Sequence, residues 1–111
     1  MDYSKDYKDK LITAKEAAGL VKDNMWVDYA WGVSTPVAFD KALAERLDEL
    51  NEIYLRGGVL LWEPEVFKKD PEGEKVVWNS WHAGGPDRKR INTTPGGFYI
   101  PLRYSERSEE R

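Results

Sequence analysis

The sequence predicts an α/β domain with a mostly parallel sheet of about four strands flanked by helices. Three observations lead there. Apolar runs of strand length alternate with helical patterns in the order α, β, α, β, short α, β, short α, β, and that alternation builds a parallel sheet through crossover helices. The stretch at 36–50 places Phe39, Leu43, Leu47 and Leu50 at spacings of four, four and three, one apolar stripe with Asp40, Lys41, Glu45, Arg46, Asp48 and Glu49 away from it. A glycine turn, Trp31-Gly32-Val33-Ser34-Thr35-Pro36, joins this helix to the strand before it.

Totals narrow the class. The 111 residues suffice for one domain, which at this size buries roughly 60–70% of its unfolded surface. With 41% hydrophobic and 33% charged residues the chain is globular. Five Trp is a high count, and it points to rings at an interface. Net charge is −3 and no basic stripe is present, so nucleic acid is not an expected partner. The longest apolar run, Val59-Leu60-Leu61-Trp62, is far short of a membrane span. The first ten residues, MDYSKDYKDK, lack the apolar core of a signal peptide. The absence of cysteine excludes disulfide and thiolate chemistry and fits a cytoplasmic protein.

Residues 1–12 are a polar lead-in with a short helix at most. Thr13 and Glu16 form a capping-box pattern that opens a helix at 14–22, with Ala17, Ala18, Leu20 and Val21 inward. Residues 25–30 read as the first strand, in which Asp28 needs an edge position or a specific partner. In the turn that follows, Thr35 suits a helix cap and Pro36 the first helical position. Ile53-Tyr54-Leu55 begins the second strand, and Gly57-Gly58 marks a bend, a bulge or a close backbone approach before residues 59–62 continue it. A single helical turn at 65–69 and a surface turn at 70–73 lead to a third strand at 76–78, which runs into Asn79-Ser80-Trp81-His82. A short helix at 87–91, a loop at 94–97, a fourth strand at 98–102 and a charged tail at 107–111 complete the chain.

Catalytic signatures are sparse. His82 is the only histidine, and its spacing from Ser80 defines no dyad. It reads either as a polar group at a cleft rim or as a satisfied loop histidine. Neither Gly57-Gly58 nor Gly84-Gly85 follows a phosphate-loop pattern. No carboxylate cluster has metal-ligand spacing, so no metal is expected. Glu63 and Glu65 flank Pro64 as acid/base candidates or as solvated surface. The Ser34-Thr35-Pro36 turn, a strand delivered to a helix N-terminus, is the best site candidate and equally a plain cap.

Four collinear blocks then carry a resemblance: DYAWGVSTPVAFDKALA at 28–44, LRGGVL at 55–60, VWNSWH at 77–82 followed by DRK at 87–89, and YIPLRYSE at 99–106. Together they resemble the start of the acetyl-CoA hydrolase/transferase family, closest to its butyryl-CoA:acetate and 4-hydroxybutyrate CoA-transferases. The resemblance implies that residues 13–106 are part of an N-terminal CoA-transferase domain from a two-domain enzyme several times longer. It also implies ping-pong transfer. A glutamate carboxylate attacks an acyl-CoA thioester, an acyl-glutamyl anhydride forms, and a glutamyl thioester then passes CoA to an acceptor acid.

That glutamate and the glycine-rich CoA-binding loops lie later in the family sequence, and none of Glu63, Glu65 or Glu106 matches the catalytic position. The expectation is an N-terminal fragment that is inactive alone, because covalent catalysis needs its nucleophile. No cofactor is expected on this fragment, with coenzyme A the substrate of the full-length family. Acyl-CoA and a short-chain carboxylate are then the small-molecule partners. Carried over, Ser34, Thr35, Asn79, Ser80 and His82 face a substrate cleft from the strand ends. The alternative is an interaction module that docks through its Trp-rich surface onto a separate C-terminal half, or self-associates through the face that half would cover.

Overall fold

The computed structural model describes residues 1–103, 105 and 106, and the expected tail at 107–111 lies outside the described residues. Four strands, β1 (Trp26–Trp31), β2 (Ile53–Gly58), β3 (Val76–Ser80) and β4 (Gly97–Tyr99), form one sheet in the order β1-β2-β3-β4. Every pairing is parallel. The helices are α1 (Ser4–Lys10), α2 (Ala14–Gly19), α3 (Val37–Arg46), α4 (Glu65–Lys69) and α5 (Gly85–Thr93). The expected α/β architecture is therefore present, and its sheet is parallel throughout.

Strand order decides where the helices go. Each crossover joins strands adjacent in both sequence and space, and right-handed crossovers that all step the same way place α3, α4 and α5 on one face. Side-chain burial agrees. Tyr29, Ile53, Leu55, Val76 and Trp78 point to the helices and are fully buried. Trp78 is the hub of this core, edge-on to Tyr29 at 6.2 Å and to Phe67 of α4 at 5.4 Å, a geometry that suits the ring quadrupoles.

Local signals explain most element ends. The Thr13 hydroxyl accepts the Glu16 amide at 3.1 Å, and the Glu16 carboxylate accepts the Thr13 amide at 3.4 Å. Helix α2 stops at Gly19, earlier than the periodicity predicts. Ala18 and Val21 are buried but Leu20 is exposed. The Arg46 guanidinium reaches back from α3 to the carbonyls of Ala18 and Val21, adding a cation and donors at the C-terminal end of α2.

The glycine pair in β2 is a close approach. A Cβ on Gly57 would sit 2.6 Å from the Ala30 carbonyl oxygen and 2.9 Å from the Trp78 ring. The strand ends at Gly58: Val59 adopts φ +49° and Leu61 is exposed, so residues 59–62 do not extend it. Strand β4 is likewise shorter than the apolar run at 98–102, ending at Tyr99 just before Ile100 and Pro101. Asp28 has the edge position it required and a partner, with its carboxylate accepting the Ala30 amide at 2.8 Å and lying 3.7 Å from Arg56 Nε.

Replacing Gly57 with Ala drives a methyl group into backbone and a buried ring, and is expected to cost about 1–3 kcal/mol. Gly85→Ala, where nothing lies within 4 Å of the added carbon, is the matched control. Urea unfolding of both variants measures the difference.

Candidate functional site

The C-terminal ends of parallel strands are where α/β sheets hold ligands. Here that edge is built by the end of β1 and its turn, the Gly57-Gly58 pair, Asn79 to His82, and Tyr99. Strand β1 carries a bulge between Asp28 and Trp31, with Ala30 at φ +58°, and Gly32 follows at φ +54°. Pairing between β2 and β3 continues past the strands, because the Trp81 amide donates to Gly57 at 2.9 Å and the Val59 amide to His82 at 2.7 Å. Gly58 lies so close that a Cβ would be 3.2 Å from the His82 backbone. The Trp31 ring stacks near Trp81 at 6.2 Å and near the His82 ring at 6.1 Å.

The five expected cleft residues do not form one constellation. Ser34 is exposed on a 3-10 turn, Gly32–Ser34. Thr35 is buried, and its hydroxyl donates to the Gly32 carbonyl at 2.9 Å. It does not cap α3, whose N-cap is Pro36 with no side-chain hydrogen bond. Thr35 closes the 3-10 turn because the chain passes through it extended, at ψ 127°, before the helix begins at Val37.

Asn79 and Ser80 are consecutive in β3 and so point to opposite faces. The Asn79 amide donates to the Leu55 carbonyl at 3.3 Å on the helix-free face. Ser80 is wholly buried on the helix side, and its hydroxyl has no hydrogen-bond partner among the described residues. His82 is exposed and lines two shallow recesses. One, of about 370 Å³, is shared with Arg88, Asn92 and Tyr99. The other, of about 440 Å³, is shared with Trp81, Arg103 and Glu106.

What the sequence reading did not foresee is a set of buried carboxylates that anchor loops at both ends of the sheet. Asp40 accepts the Tyr29 hydroxyl at 2.9 Å and the Glu65 amide at 2.7 Å, tying α3, β1 and the start of α4 together. Its burial follows from helical spacing, since Asp40, Leu43, Ala44 and Leu47 share one stripe and all are buried. Burial pushes the Asp40 carboxyl above the ordinary range, against the lowering effect of its amide and hydroxyl donors. Burial and the neighbouring Asp40 charge raise the Tyr29 phenol, so it remains a neutral donor.

Asp87 accepts the Leu60 amide at 2.8 Å, the Trp78 indole at 2.8 Å and the Gly84 amide at 3.0 Å. Asp70 accepts the amides of Glu74, Lys75 and Val76 and pairs with Arg90 at 3.2 Å. These groups satisfy backbone donors at loop ends, a structural use of charge. Among the described residues no group of three or more His, Asp or Glu is placed to hold a metal ion. No helix among them is long and apolar enough to cross a membrane.

The profile of the acetyl-CoA hydrolase/transferase N-terminal domain matches residues 1–109, nearly the whole chain. The chain belongs to the acetyl-CoA hydrolase/transferase family. Within this family it is 46% identical over 106 residues to the butyryl-CoA:acetate CoA-transferase of Anaerostipes caccae, covering 96% of this chain and 24% of that protein. It is 43% identical over 101 residues to the probable butyrate:acetyl-CoA coenzyme A-transferase of Syntrophomonas wolfei, covering 91% and 22%. The family member thus spans about a quarter of the length of these relatives. Its fold is similar to RipA from Yersinia pestis, with a TM-score of 0.73 at 17% identity, covering 100% of this chain and 28% of that one.

Because burial raises Asp40 above its ordinary value of 3.8, the folded state binds that proton more tightly than the unfolded chain. The stability this group adds is therefore greatest below the ordinary value, and is lost as pH rises through the raised folded one. Relative to Asp40→Asn, the parent chain is expected to lose stability as pH rises above 3.8 and to level off once the folded carboxyl is ionised. Denaturant unfolding of both across that range checks the sign, and a pH-independent difference contradicts it.

Proposed function

We propose that this chain supplies the N-terminal part of an acyl-CoA:acetate CoA-transferase, which moves CoA between a short-chain acyl-CoA and a carboxylic acid through a glutamyl intermediate. The observation that carries the reading is a match to an N-terminal domain over nearly the whole chain, joined to relatives named as butyryl-CoA:acetate transferases of which it spans about a quarter. The strand-end edge supports it, since a cleft wall needs exposed polar groups on a rigid base. His82 and Arg88 stand exposed there above the Asp87 anchor.

The division of labour is then clear. The reaction needs a carboxylate nucleophile held in a water-poor site facing the thioester. Glu63 lies 3.9 Å from Lys89, Glu65 is paired with Lys68 at 3.0 Å on α4, and Glu106 lines an open recess. None has the buried, preorganised setting of such a nucleophile. The chain therefore shapes and closes the cleft, with acyl-CoA and a short-chain carboxylate as its small-molecule partners. The remainder of a transferase polypeptide is its macromolecular partner and the source of the glutamate. Of the carried-over residues, Ser34 on the turn and His82 are exposed, which supports giving them the ligand contact. Thr35, Asn79 and Ser80 support the wall from within. A cytoplasmic setting accompanies this reading, supported by the cysteine-free sequence.

Incubated with butyryl-CoA and acetate, the chain alone is expected to yield no acetyl-CoA above the blank. A chimera in which residues 1–109 replace the matched segment of the Anaerostipes caccae enzyme is expected to turn over. Transfer by the chain alone contradicts the proposed division.

A further inference from the structure

The face of the sheet that no helix covers among the described residues carries a patch that the fold leaves unexplained. Register aligns two rows of side chains across it. Trp26, Tyr54 and Val77 form one row, and Asp28, Arg56, Asn79 and Phe98 form the other, spanning all four strands. Trp26 is 56% exposed and Phe98 49%. The patch is ordered as well as apolar: Trp26 stacks on Tyr54 at 5.1 Å, and Arg56 lies 5.2 Å over the Trp81 ring. Wholly parallel sheets occur almost only with both faces covered. A patch rich in Trp, Tyr and Arg has the composition of an interface centre.

We infer that this face is a docking surface for the part of the CoA-transferase polypeptide lying beyond this chain's match. The inference rests on the function proposed above and names the surface through which that function is assembled. The relatives are the argument for the occupant, because the chain accounts for 24% and 22% of their lengths, which leaves about three quarters of each available to cover it. A second copy fits less well. An interface centred on this patch about a two-fold axis sets its central residues against their own copies, and here the central position is the guanidinium of Arg56. A distinct partner can instead present apolar side chains to Trp26 and Phe98 and hydrogen-bond acceptors around Arg56.

Trp26→Glu and Phe98→Glu test the surface, with Leu20→Glu as control at the end of α2, another exposed apolar site. Thermal midpoints are read in the 111-residue chain and in the chimera described above. In the chain alone each variant is expected to shift the midpoint no more than the control does. In the chimera each is expected to lower it by several degrees beyond the control. Where the chimera is not recovered intact, co-purification of the chain with the remainder of the Anaerostipes caccae enzyme reads the same variants, and binding is expected to be lost with Trp26→Glu. Equal shifts in both contexts overturn the inference, as does a dimer of the chain alone that Trp26→Glu dissociates. An active chimera that tolerates both substitutions refutes the surface and leaves the proposed function standing. A folded, sensitive but inactive chimera supports the surface and refutes the function.

Discussion

Right-handed crossovers between neighbouring parallel strands put every connecting helix on one side of the sheet, and the rest of this structure follows from that constraint. One face becomes the core, closed by Trp78 against Tyr29 and Phe67. The other carries Trp26, Tyr54, Arg56 and Phe98, with no helix over them among the described residues. The two faces differ in chemistry because their jobs differ. The first pays the entropy of folding through apolar burial, and the second is organised by the stacking of Trp26 on Tyr54 and by the Asp28–Arg56 pair.

The loops at the strand ends are held by buried carboxylates. Asp40 receives the start of α4, Asp70 gathers the three amides that lead into β3, and Asp87 joins the exit of β2 to the entry of α5. Each satisfies donors that a buried loop would otherwise leave unpaired, at the cost of desolvating a charge. The effect on function is indirect. At the C-terminal edge the loop ends tied by Asp40 and Asp87 give His82, Arg88 and Tyr99 a fixed base, while Asp70 fixes the opposite end of β3.

Much of this was readable in the residues. The order of elements, the Thr13–Glu16 box, the need of Asp28 for a partner and the close approach at Gly57 all follow from local chemistry. The four resembling blocks anticipate the family match, because collinear blocks carry far more information than one motif. Four things were hidden or overlooked. Strand order is a tertiary property, so the bare face was not visible in any window of sequence. Asp40 shares the stripe of Leu43 and Leu47, but a carboxylate does not register as core in a hydrophobic count. The opposed directions of Asn79 and Ser80 were available from strand alternation, and grouping them in one cleft overlooked it. The type of Thr35 and its neighbour Pro36 favour a cap, whereas its hydroxyl turns back to Gly32.

The central claim is that this domain is one part of a larger enzyme, joined to it through the helix-free face. Oxidative footprinting of the chain alone and of the chimera tests it most directly. Trp26, Tyr54 and Phe98 are predicted to lose reactivity in the chimera while Tyr7, exposed on α1, keeps it. Unchanged reactivity of Trp26 and Phe98 in a folded chimera would contradict the account.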